Sequence, residues 1–160
     1  MKKALFFFIF ILTLLPSTSF AQMKQLTLQE RINMASLVLL VEVEKSYKGE
    51  GEQLKPGNWF AECTVKEVLS GSFGEEKIKI NFKNVKRRQR RLTPIRLSEG
   101  SKYLLFLQFS GEFYQMISPY QGAFEQGKTY KIMDKNSPEY PKLEPLGFVE
   151  IVERTKKSLK

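Results

Sequence analysis

The sequence predicts a mainly β protein, a small antiparallel barrel or sandwich of five or six short strands with a helix at each end. Three observations carry this. Several segments alternate apolar and polar residues with a period of two. Gly-, Pro- and Ser-rich stretches separate those segments at short intervals. The chain has 160 residues, 42% of them hydrophobic, which is one core's worth of material, and no repeat or linker divides it.

The first stretch reads as a targeting segment rather than structure. Met1, Lys2 and Lys3 are followed by twelve uncharged, mostly apolar residues, Ala4 to Leu15, then Pro16 and small residues ending Ser19-Phe20-Ala21. This is the order of a secretory signal, with small side chains at the −3 and −1 positions. A membrane-spanning helix needs about 20 apolar residues, so cleavage after Ala21 is expected, with no stable membrane insertion afterwards. Residues 1–21 are thus a signal peptide and 22–160 a single exported domain, periplasmic or extracellular. Gln22, not Cys, follows the cleavage point, so no lipid anchor is indicated.

In the remaining chain, Thr27 and Glu30 form a capping-box pattern, and Leu28, Ile32 and Ala35 share one helical face. Leu37, Leu39, Val41 and Val43 line one face of a half-buried strand, with Glu42 and Glu44 on the other. Residues 46–58 read as a loop. Trp59, Ala61, Cys63 and Val65 alternate inward on a second strand, and Ile78, Ile80 and Phe82 on a third. Between them, residues 70–74 are a turn. Tyr103 to Phe109 is apolar enough to be buried on both faces, and Ser110-Gly111-Glu112 turns it back into a hairpin over 102–117. Residues 118–129 read as a Gly-punctuated connection, and 130–132 as a last short strand. From Pro145, the residues Leu146, Val149, Val152 and Thr155 fall near helical spacing, ending in Lys-rich turns that suit a helix C-terminus.

The order of these pieces resembles a known group. Ala35, Val38 and Val41 come first; then Val65, Val68, Leu69 and Gly71; then Gly100 with Tyr103, Leu104, Leu105 and Phe106; then Gly122 and Phe124. This succession is similar to bacterial secreted domains related to the tissue-inhibitor-of-metalloproteinase and netrin-like group. The resemblance implies a small antiparallel OB-like β-barrel of five to six strands, with a short N-terminal helix and a C-terminal amphipathic helix. It implies a fold, not an activity. The animal inhibitors present a disulfide-bonded N-terminal Cys to a protease zinc. Here the expected new N-terminus is Gln22 and the single Cys is Cys63, so no inhibitory residue carries over.

Composition excludes much chemistry. There is no His, which removes Ser-His-Asp triads, zinc-peptidase helices and His-built metal cages. One Cys cannot form an internal disulfide. Cys63, between Ala61 and Val65 on one face, reads as a small buried hydrophobe. Neither a G-x-S-x-G nor an S-x-x-K pattern is present. No catalytic residue, metal or cofactor is expected. Gly122 to Thr129 (GAFEQGKT) does match the phosphate-loop pattern G-x-x-x-x-G-K-T. That loop needs a following helix and further parallel strands. The residues after Thr129 look extended and soon reach Pro138, so two turn glycines are the better reading.

The distinctive feature is the run Lys83-Asn84-Val85-Lys86-Arg87-Arg88-Gln89-Arg90-Arg91. Six of these nine residues are cationic, in a chain with 26 Lys and Arg against 17 Asp and Glu. Such a run creates strong local positive potential, and Arg grips phosphate or carboxylate in a two-pronged geometry. A solvated loop is the competing reading. The expected partner is an envelope protein, an anionic glycan or a lipid headgroup, contacted through Lys83, Lys86, Arg87, Arg88, Arg90 and Arg91. One alternative is single-stranded nucleic acid stacked on Trp59, Phe60, Phe73, Tyr103, Phe113 or Tyr114, with Phe60 and Phe73 the most exposed of these. Another is a purely structural envelope domain.

Overall fold

The structure is a computed structural model, and it describes residues 25–49, 58–83, 94–133 and 143–160. The chain is mainly β. Five strands close a barrel: β1 (Leu37–Lys48), β2 (Asn58–Ser70), β3 (Lys77–Lys83), β4 (Lys102–Phe109) and β5 (Tyr114–Met116). The order round the barrel is β1-β2-β3-β5-β4, and β4 returns to β1. This is the OB-like architecture the sequence predicts, with one difference. The β3–β5 pair, Ile80 opposite Tyr114 and Asn81 opposite Gln115, is parallel, so the barrel is not antiparallel throughout. Closure forces this: β5 turns back on β4 and meets β3 running the same way.

Strand β1 is the hinge of the barrel. Its pairing with β2 shifts register at three places, and bulges of this kind bend a strand and increase its twist. Leu37, Leu39, Val41 and Val43 point into the interior, with Ala61, Cys63, Ile78, Ile80, Phe82, Tyr103, Leu105 and Leu107. Gly71, at φ +89°, ends β2. A Cβ there would lie 2.5 Å from the Ser36 carbonyl oxygen, so only glycine lets the turn after β2 pass the start of β1.

A second core lies outside the barrel wall, where Val38, Leu104, Phe106 and Phe124 meet Ile32, Ile132, Leu146, Ile151 and Val152. It is roofed by helix α1 (Leu28–Met34), by helix α2 (Phe148–Ser158), and by three strands. Strand β6 (Ala123–Glu125) pairs with β4, while β7 (Thr129–Met133) and β8 (Leu143–Gly147) form a separate two-stranded sheet. The roof buries Val38 as completely as the interior residues, so β1 is enclosed on both faces along its first half rather than half-buried. The capping box forms as read: the Glu30 N–H donates to Thr27 Oγ1 at 3.1 Å, and the Thr27 N–H donates to Glu30 Oε2 at 2.9 Å.

The fold departs from the sequence reading in three further places. Residues 46–48 extend β1 instead of opening a loop. Residues 123–125, read as connection, are β6. Residues 143–147 are β8, and the helix starts only at Phe148. Leu146 is therefore buried from a strand, and Val149 is exposed, while Ile151, Val152 and Thr155 form the buried helical face. Leu146 happens to fit both periodicities; pairing with β7 decides between them. Among the described residues no helix is long and apolar enough to cross a membrane. The expected signal segment, residues 1–21, lies outside them.

Candidate functional site

Two cationic regions stand out, one in the sequence and one in the fold. The first is the basic run. Lys83 is the last residue of β3, paired with Asn58. Lys86, Arg87, Arg88, Arg90 and Arg91 lie outside the described residues. The chain is described again from Pro94 and is tied down at once. The Ile95 N–H donates to the Pro119 oxygen at 2.8 Å. Leu97 is buried. The Tyr103 hydroxyl accepts from the Ser98 N–H at 3.0 Å and donates to the Arg96 oxygen at 3.1 Å. Phe82, before the run, and Leu97, after it, line one recess of about 340 Å³ with Trp59 and Arg96. The described residues on either side of the run thus lie beside each other.

The second region is a cleft of about 610 Å³ that shares Arg96 with that recess. Its cations are Arg31 from α1, Arg96 from the segment before β4, and Lys128 and Lys131 around the start of β7. Tyr103, Tyr120, Tyr130, Ile95 and Phe124 supply the apolar wall. Each is placed by its element. The capping box starts α1 at Leu28 and so sets Arg31 in its first full turn. Gly122 lets the loop before β6 run against the barrel: a Cβ there would lie 2.7 Å from both the Ser118 oxygen and Met116 Cβ. That loop carries Tyr120 and Gln121 into the cleft.

Arg31 is the unusual member. It is 4% exposed and stands over the Phe124 ring, 4.5 Å from its centroid. Its guanidinium donates to the Gln121 carbonyl at 2.7 Å and twice to the Leu26 carbonyl at 3.3 Å. Burial pushes its pKa down to about 10, so it remains charged at neutral pH. No carboxylate among the described residues forms an ion pair with it. Lys128 does have a partner: it is paired with Glu125, which raises its pKa. The Tyr130 hydroxyl accepts from the Glu125 N–H at 2.6 Å, and its pKa is raised, chiefly by burial.

The other singled-out groups resolve as structure. Cys63 is buried in the barrel interior, and its thiol is pushed up to about 12, mainly by that burial. It is not a thiolate at neutral pH. Glu42 pairs with Lys66 at 2.9 Å and Glu44 with Lys77 at 2.8 Å, on the outer face. The GAFEQGKT string is β6, a turn with Gly127 at φ +83°, and the start of β7, with no helix after it. Among the described residues no three His, Cys, Asp or Glu side chains gather as a metal site.

The aromatic platform also changes. Phe60, expected to be exposed, is 2% exposed. Tyr47, Phe113 and the Lys79 ammonium close over it, with the Phe113 ring centroid at 5.2 Å and Lys79 Nζ at 4.6 Å. Phe73 packs against the interior core and edge-on to Tyr114. Tyr103 is buried in the interior core. Phe109, which was not singled out, is the more exposed ring.

Sequence reasoning missed the cleft. Arg31 was part of a helix pattern, and its partner Gln121 is 90 residues away. The one available signal was a cation at a position that shares a face with apolar Leu28 and Ala35. The chain matches no family model and no curated protein.

Proposed function

We propose that this is an exported, non-catalytic binding domain of the bacterial envelope, built like the inhibitor/netrin-like group it resembles. It contacts a polyanionic or protein partner through Lys83, Lys86, Arg87, Arg88, Arg90 and Arg91. One observation carries the reading. Lys83, the first cation of the run, ends β3, and the described residues that flank the run, Phe82 and Leu97, line one recess, so the described chain breaks off and resumes at one place on the barrel. Six cations within nine residues focus a field on anionic surfaces such as phosphorylated glycolipids or acidic phospholipids. The absence of His, the protonated buried Cys63 and the outer-face ion pairing of Glu42 and Glu44 support a binding role over catalysis.

The test is capture from a native envelope extract. The full chain and a variant with Arg87, Arg88, Arg90 and Arg91 changed to Ser serve as baits at low and high salt. The proposal expects an anionic lipid or glycan that only the unaltered chain retains, and only at low salt. Equal capture by both baits would move the contact surface away from the run.

A further inference from the structure

We propose that the cleft beneath Arg31 is a binding site for a phosphate group, distinct from the basic run and standing on different residues. Four cations line it and one carboxylate, Glu125, so it carries an excess of three positive charges. Glu125 is already engaged by Lys128. Arg96 and Lys131 form no ion pair among the described residues.

Arg31 supplies the built part of the site. A guanidinium has five N–H donors. Three are used, on the Leu26 and Gln121 carbonyls, which fix the group in place over Phe124. One N–H on each terminal nitrogen has no protein acceptor among the described residues. A buried cation without a counter-charge is costly, and an anion in the cleft compensates it. The fixed planar fork suits an oxyanion, because two oxygens can accept from it together. Tyr130 adds a donor. Its hydroxyl oxygen already accepts from the Glu125 N–H, and its proton has no protein acceptor among the described residues.

The charge excess selects phosphate over a single carboxylate. A phosphomonoester carries nearly two negative charges at neutral pH, and its several oxygens can accept from more than one of the cations that line the cleft. The apolar wall of Ile95, Tyr120 and Phe124 accommodates an organic group attached to that phosphate. The GAFEQGKT string delivers Lys128 to this cleft by a strand–turn–strand path, so the site owes nothing to the phosphate-loop geometry the string resembles.

The experiment titrates the full chain with inorganic phosphate, phenyl phosphate and benzoate at constant ionic strength. It follows the NMR signal of the Arg31 Nε–H and the thermal midpoint. Saturable shifts of Arg31 with both phosphates, and much weaker ones with benzoate, support the site. Tighter binding of phenyl phosphate makes an organic phosphate the source; equal binding makes it the free ion. Changing Arg96 and Lys131 together to Gln leaves the buried Arg31 contacts intact and is expected to weaken phosphate binding about tenfold. The variant with Arg87, Arg88, Arg90 and Arg91 changed to Ser is expected to bind phosphate with unchanged affinity. No saturable Arg31 shift, benzoate binding as well as phenyl phosphate, or loss of binding in the Ser variant instead of the Gln variant would overturn the proposal. Capture by the basic run is read separately, in the envelope extract.

Discussion

The two cationic regions differ in how they are made. The basic run is contiguous: its six cations lie within nine residues and need no fold to be close together. The cleft is assembled: Arg31, Arg96, Lys128 and Lys131 come from separate parts of the chain and meet only because α1, the segment before β4 and the β6–β7 turn converge. Contiguity gives charge density by sequence alone. Assembly gives fewer charges, but one of them is buried, oriented by three hydrogen bonds and stacked on a ring. The comparison teaches that the run suits large anionic surfaces, and the cleft a single small group.

The largest effect should come from the floor of the cleft. Phe124 packs edge-on against Phe106 and Tyr130 and carries Arg31 on its face. Phe124→Ala removes that support from the second core, and a loss of about 3–5 kcal/mol in denaturant unfolding is expected. The Ser variant of the basic run should unfold within about 0.5 kcal/mol of the unaltered chain, as surface changes usually do. If the two lose stability equally, the distinction between assembled and displayed charge fails.

A smaller loss is expected at Arg31. Arg31→Met keeps much of the stem but leaves the Leu26 and Gln121 carbonyls without these donors. The expected cost in denaturant unfolding is about 1–3 kcal/mol. A more stable variant would mean that burying the charge outweighs its hydrogen bonds, which is possible for buried ions in general.

The smallest effect lies on the opposite kind of charge, at the surface and already paired. Glu44 is held below its ordinary pKa of 4.5, first by the Lys77 ammonium and then by the Thr64 hydroxyl. Its folded pKa is lowered, so its contribution to stability is present above the unfolded value and is lost as pH falls through the folded one. Acid titrations of the unaltered chain and Glu44→Gln should therefore converge below pH 4.5. Salt should shrink the difference above it. A gap that persists in acid would point to packing instead of charge.

Legibility followed contact distance along the chain. The interior was readable because alternation alone puts Leu37, Leu39, Val41 and Val43 on one face, and the capping box is complete within four residues. The roof was less readable. Nothing local distinguishes Val38, which is buried in the second core under the roof, from a solvent-facing residue. The residues from Pro145 to Gly147 read as the start of the helix but belong to β8, since its partner β7 lies across an intervening stretch. The parallel β3–β5 contact has no local signature either. The basic run was evident by composition, yet its geometry lies outside the described residues. For the cleft the reverse holds: its geometry is defined, but no window of sequence contains it.

The most direct measurement of the central claim is the salt dependence of binding to vesicles of anionic phospholipid, for the full chain and the variant with Arg87, Arg88, Arg90 and Arg91 changed to Ser. Each lost cation–phosphate contact should remove one released counterion. By analogy with nucleic-acid phosphates, the slope of log affinity against log salt should become shallower by about three for four arginines. Affinity at low salt should fall with it. Identical slopes and affinities for the two chains would contradict the account and leave the basic run as a solvated loop.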